Sequence, residues 1–294
     1  MNSSHQQEIL KTLLYSDIFD YPLTEDELWR FTGEKMDKNT CREALDSLPP
    51  LIAKEGNYYY FTGRRGIIRK REKRAKESDK KIIYAKKTIA LLSFIPTVVF
   101  IGISGSVAMS NCKKEDDIDL FIISRKNTVW FTRLCILLLL QLIGERRRRY
   151  DTRGTNQMCV NMFLSENALM LSKYRQNLYT AHEVARMIPM FERDNMHSRF
   201  LSANRWVKRF MPNSSAIKKL SNKAIKERKP QLLNYFLTPL FSFSEPIAKA
   251  IQLWYMKRHK TTEEISDTLL AFHPQDLRPR VLHAFQKRLE KYHL

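Results

Sequence analysis

Apolar residues recur along this chain with two distinct periods, and the change from one to the other divides it. In residues 8–19, Ile9, Leu10, Leu13, Leu14 and Ile18 fall three and four apart, the spacing of one helical face. Thr24 followed by Asp26 and Glu27 reads as the cap of a second helix, and Asn39-Thr40 as the start of a third that runs through Ala44, Leu45 and Leu48. Residues 51–54 and 58–61 flank Glu55-Gly56-Asn57, a hairpin turn. Ile82, Ile83, Ala85, Ile89, Ala90 and Leu92 then mark a helix ended by Pro96. Next come two β-branched runs, 98–103 and 118–124, an apolar helix ending at Ile143, and a third strand over 158–164. Beyond residue 166 the pattern is helical, over 177–190, 201–210 and 281–292, with Pro230 and Pro246 dividing the last third.

The polar residues between the first two strands change the picture. Val98 to Ile103 breaks at Ser104-Gly105-Ser106, and the second strand opens on Asp117 and Asp119. Side chains alternate along a strand, so Asp117 and Asp119 share a face with Phe121 and Ile123 while Ile118, Leu120 and Ile122 point the other way. Glu115 and Asp116 are the alternative acids, but only Asp117 and Asp119 keep that face. Two carboxylates held this close repel unless a cation neutralises them. Gly105 lets the backbone approach a ligand, and the Ser106 hydroxyl can donate to a phosphate oxygen.

A strand, a Gly-Ser turn, a spacer and a D-x-D strand resemble the nucleotidyltransferase superfamily of DNA polymerase beta. The resemblance covers about a quarter of the chain, and D-x-D or Gly-Ser alone would be common turn chemistry. It implies that Gly105 and Ser106 hold a nucleoside triphosphate and that Asp117 and Asp119 bind Mg2+ or Mn2+. The reaction implied is transfer of a nucleoside monophosphate to a hydroxyl acceptor that the sequence does not identify. Members generally carry a third carboxylate on the next strand; here the best-placed residue is Asn161, which can offer an oxygen to a metal but cannot take a proton. Asp151 and Glu166 are substitutes from the two ends of that strand. His182-Glu183 lies on a partly apolar helix, where structural burial is the ordinary fate of a histidine. The alternative function is a nucleic-acid-binding regulatory protein whose core no longer turns nucleotide over; the nucleotidyltransferase half of a toxin pair is a third.

The expected architecture is α+β. Residues 1–63 resemble a winged-helix domain, 64–79 form a basic linker, 80–168 a small mixed-sheet nucleotidyltransferase core, and 169–294 a helical domain. The third helix of the first unit carries Glu43 and Asp46 beside Arg42, poor chemistry for a groove lined with phosphates. The net charge of +20 favours polyanions as partners, nucleic acid among them, and residues 64–87 are especially dense in Lys and Arg. Four scattered cysteines, with no C-x-x-C, argue against a zinc site or a disulfide framework and fit a reducing cytoplasm. The apolar run around 135–143 is too short to span a bilayer, so no transmembrane segment is expected.

Overall fold

A computed structural model describes residues 4–147, 156–214, 241–257, 264–272 and 276–294; Asp151 and Pro230 lie outside the described residues. The first unit runs α1 (Ser4–Asp17), β1 (Leu23–Thr24), α2 (Glu25–Phe31), α3 (Lys38–Asp46), β2 (Ile52–Glu55) and β3 (Tyr58–Phe61). Thr24 caps α2 in a reciprocal capping box with Glu27. The cap of α3 is Asp37, whose carboxylate accepts from the Asn39 and Thr40 N–H groups at 2.8 and 2.9 Å; Asn39-Thr40 lies inside the first turn. The expected hairpin forms between β2 and β3, and the two-residue β1 adds to β3 on the other side.

Residues 64–79 do not stay apart as a linker. They merge with the following helix into α4 (Gly66–Leu92), whose inner side buries Ile67, Arg71, Ile82, Ala85 and Ile89. Many of the cations that made this stretch look like a linker are tied to the first unit. The Arg71 guanidinium donates to Glu27 at 2.7 and 3.0 Å, Arg64 pairs with Asp17 and Asp20, and Arg65 pairs with Glu55.

The mixed sheet is larger than the sequence suggests. It contains β4 (Val98–Ser104), β5 (Ile118–Ser124), β6 (Met158–Ser165), β7 (Ile188–Glu192), β8 (Glu264–Ile265) and β9 (Leu269–Ala271), in the order β7-β4-β5-β6-β9-β8. The β5–β6 pair is parallel and the others antiparallel. The one-turn α5 (Gly105–Ala108) follows β4, and α6 (Val129–Leu142) makes the crossover between the two parallel strands. Three strands therefore come from the region expected to be wholly helical. The helix predicted over 177–190 stops as α7 (Leu178–Arg186), because Pro189 cannot continue it and forces Ile188 extended, which starts β7.

The helix predicted over 201–210 is likewise split. α8 (Met196–Ala203) ends at Asn204, whose side chain bonds the Leu171 N–H and the Leu169 and Phe200 carbonyls, and a 3-10 turn, Arg205–Arg209, follows. α9 (Glu245–Met256) and α10 (Leu277–Tyr292) follow. One face of the sheet packs on α4, α6 and α9 through Ile101, Ile103, Leu120, Ile122 and Phe163. The opposite face packs on α7 and α8 through Phe100, Phe121, Ile123, Met162 and Leu164. The fold is α+β, and the alternation expected for β5 holds.

Candidate functional site

β4 and β5 run antiparallel with Ser104 opposite Asp119, and Cys159 of β6 pairs Asp119 from the other side. This register sets Asp119 at the end of the central strands, against the turn that leaves β4. Gly105 occupies that turn with φ +64°, and a Cβ there would lie 2.2 Å from Asp119 Oδ2. Glycine is required twice over, by backbone conformation and by the carboxylate pressed against it. The four residues Gly105, Ser106, Asp117 and Asp119 are thus gathered at one end of the sheet.

Their partners differ from the expected ones. The Ser106 hydroxyl donates to Asp116 Oδ2 at 3.0 Å, and the same oxygen accepts from the Lys113 N–H at 2.9 Å. Asp116 is the organiser of the loop. Lys81, 1 % exposed, reaches up from α4 and donates to the carbonyls of Lys114 and Asp116 at 3.0 and 2.7 Å and to Asn156 Oδ1 at 3.0 Å. Three acceptors satisfy the buried ammonium, and the segment carrying Asp117 is anchored to α4.

Asp117 forms an ion pair with Arg147. Burial raises its pKa, opposed by the charges of Arg147 and Lys81. Asp119 is pushed up to about 7, first by burial and then by the charge of Asp117, while a hydrogen bond from Asn161 Nδ2 pulls the other way. Asn161 sits at a register shift in β6, and its Oδ1 accepts from the Cys159 thiol at 2.9 Å. That thiol is pushed up to about 12 by burial and by Asp119, so it serves as a donor. Asn161 therefore offers its nitrogen to Asp119, whereas a metal ligand would present its oxygen.

A further carboxylate on α7 interacts with Asp119 through its charge. Glu183 is pushed up to about 7 by burial and then by the charge of Asp119, and it is hydrogen-bonded to Tyr179 one turn earlier. Its neighbour His182 is stacked on Tyr15 with ring centroids 4.6 Å apart and edge-on to Phe31 at 5.2 Å. Adjacent residues on a helix diverge by about 100°, so the two side chains meet different neighbours. Glu166 is at the far end of β6, paired with Arg125 at 3.2 Å, and does not approach Asp119. Arg147 stands in a run of four arginines, 146–149, whereas Glu183 carries no local motif; only the amphipathic period of α7 could have put Tyr179 and Glu183 on one face.

Whether these residues suit a divalent cation is a question of donors. Among the described residues no group of three or more His, Cys, Asp or Glu is arranged to hold a metal ion. Magnesium, however, is commonly held by one or two carboxylates and completed by substrate phosphates and water. Asp119, hindered from ionising by burial and by Asp117, is the group such a cation would relieve. Asp117 and Asp119 fit that limited role, with Arg147 in the position of a competing cation. Comparison of the sequence with protein-family models, curated proteins and solved structures finds no match.

Proposed function

We propose that the end of the sheet around Asp119 binds a nucleoside triphosphate and transfers its nucleoside monophosphate to a hydroxyl acceptor. The reading rests on one observation above the others: two carboxylates side by side, one of them pressed on a positive-φ glycine between two central strands. Asp117 and Asp119 would hold Mg2+ or Mn2+, which when bound neutralises phosphate charge and acidifies the acceptor hydroxyl. The Ser106 hydroxyl, at the turn beside them, exchanges Asp116 for a phosphate oxygen. Arg147 offers a forked donor suited to the polyphosphate once it leaves Asp117.

Glu183 supplies the base that Asn161 cannot. A carboxylate with a pKa near 7 takes up a proton readily at neutral pH. In the transfer, the acceptor oxygen bonds to the α-phosphorus, the bond to the bridging oxygen breaks, pyrophosphate leaves, and the acceptor proton passes to Glu183. A second reading, nucleotide binding without turnover, is favoured by the Arg147–Asp117 ion pair and by the amide on β6.

Incubation with each labelled triphosphate and magnesium, beside a parallel binding titration, tests both. The expected result is label transfer by the wild-type chain, loss of transfer in Asp119→Ala, and in Glu183→Gln retained binding with a rate lowered roughly 100-fold or more. Binding without transfer selects the second reading. Equal transfer by wild type and Asp119→Ala, or no binding by any form, rejects the site.

A further inference from the structure

The solvent side of α4 carries a basic stripe that its one ion pair among the described residues, Lys80 with Glu77, does not account for. Arg69, Lys73, Lys76, Lys80 and Lys87 follow one another at spacings of three, four and seven residues and are all exposed. At 3.6 residues per turn they fall within an arc of roughly 100°, opposite the buried face. Ile83 and Leu91 occupy the same arc and are 65 % and 44 % exposed. Glu72, Glu77 and Asp79 lie to its sides, Glu77 in an ion pair with Lys80 at 3.4 Å. The cations used to fasten the first unit, Arg64, Arg65 and Arg71, are not part of this stripe.

The apolar half of the stripe continues onto the neighbouring helices. Tyr84 donates to Glu145 at 3.0 Å, which brings the residues just after α6 alongside the C-terminal third of α4. There Leu142 is 83 % exposed and Leu138, one turn earlier, 55 %. α9 packs on α6, with the Gln252 side chain donating to the Trp130 carbonyl at 2.8 Å, and presents Ile247 and Ile251 to solvent. The buried sides of all three helices enter one core cluster on one face of the sheet, so their exposed sides look outward together. Aliphatic side chains grouped on a surface in this way mark an interaction face.

We infer that the outer faces of α4, α6 and α9 form a docking surface for an anionic lipid bilayer. Such a bilayer complements both kinds of side chain at once. Acidic headgroups satisfy the lysines and arginine, while the aliphatic side chains enter the boundary between headgroups and acyl chains. A nucleic-acid backbone would use only the cations, and a second copy of this +20 chain would use only the apolar residues against mutual repulsion. Attachment is peripheral, because no helix among the described residues is long and apolar enough to cross a membrane. This surface is independent of what the residues around Asp119 do.

The test is sedimentation of the full chain with phosphatidylcholine vesicles, with and without about 30 % phosphatidylserine. The chain should sediment with the acidic vesicles only. Lys73→Ala and Lys76→Ala should each weaken binding roughly fivefold. The charge-neutral pair Ile83→Gln and Leu142→Gln should weaken it by about tenfold or more, with unchanged circular dichroism, since both positions are exposed. Absence of sedimentation with acidic vesicles overturns the inference. So does a loss confined to the lysine variants, which would mark a purely electrostatic partner such as duplex nucleic acid. A dimer in solution that Leu142→Gln dissociates, with vesicle binding unaffected by either glutamine substitution, would likewise assign the face to a second copy.

Discussion

Gly105 shows how one residue type can be fixed by two independent physical requirements. Its φ of +64° lies where L side chains are strained, and the space a Cβ would enter is filled by Asp119 Oδ2 at 2.2 Å. Gly56 shares only the first requirement: its φ is +58°, and nothing lies within 4 Å of a Cβ built there. Alanine at Gly56 should therefore cost only the backbone term, about 1 kcal/mol. Alanine at Gly105 adds displacement of a buried carboxylate and should cost about 2–4 kcal/mol. Urea unfolding of the two variants separates the contributions, and equal losses would mean that Asp119 moves aside freely. Lys81 is the complementary case, a buried cation whose three acceptors hold the loop before β5 in place.

Among the elements, α7 carries two chemistries on adjacent residues whose side chains diverge by about 100°. His182 is buried between α1 and α2, stacked on Tyr15, and its pKa is lowered to about 3 by burial and then by Arg186. An unfolded histidine titrates near 6.5, so between those values the unfolded chain binds the extra proton. Stability from this group is complete above about pH 6.5 and drains away as pH falls toward 3, by at most about 1.4 kcal/mol per pH unit. Phenylalanine keeps the ring contact with Tyr15 and cannot titrate. His182→Phe should thus lose less stability than wild type between about pH 6.5 and 4.5, measured by urea unfolding at both ends; parallel losses would rule out this histidine as a source of acid lability. His197, stacked on Phe100 and lowered to about 4 by burial, contributes equally to both proteins and cancels. The sequence makes β4, β5, β6 and α6 legible because each is a long apolar run with a consistent period. β1, β7, β8 and β9 escape it because they are short and exist through pairing with distant residues, β9 with β6 above all. The same division runs through the site. Gly105, Ser106, Asp117 and Asp119 announce themselves by local spacing, whereas Arg147 and Glu183 are brought there by the crossover and by α7.

Over the whole molecule, the two ends of the chain are packed together, which changes what the first unit depends on. α10 returns to α1, where Arg288 pairs with Asp17 and Phe285 meets Tyr15 edge-on with centroids 5.4 Å apart. Tyr292 packs against Phe61, and Leu289 and Leu294 join the same cluster as Ile9, Leu13 and Leu45. Asp17 receives Arg64 as well as Arg288, so its carboxylate links α1, the start of α4 and the last helix. Buried apolar side chains of this size contribute roughly 1–2 kcal/mol each when partly covered. Removal of 277–294 should then destabilise the first unit more than the sheet, whose β4, β5 and β6 core draws on α4, α6 and α8. Hydrogen exchange reads this directly: amides of α1 and β3 should lose protection by about 100-fold or more, while those of β4 and β5 change far less. Unchanged protection in α1 would mean that residues 9–61 are self-sufficient. Equal loss in both regions would mean instead that the chain unfolds as one cooperative body, with α10 holding all of it.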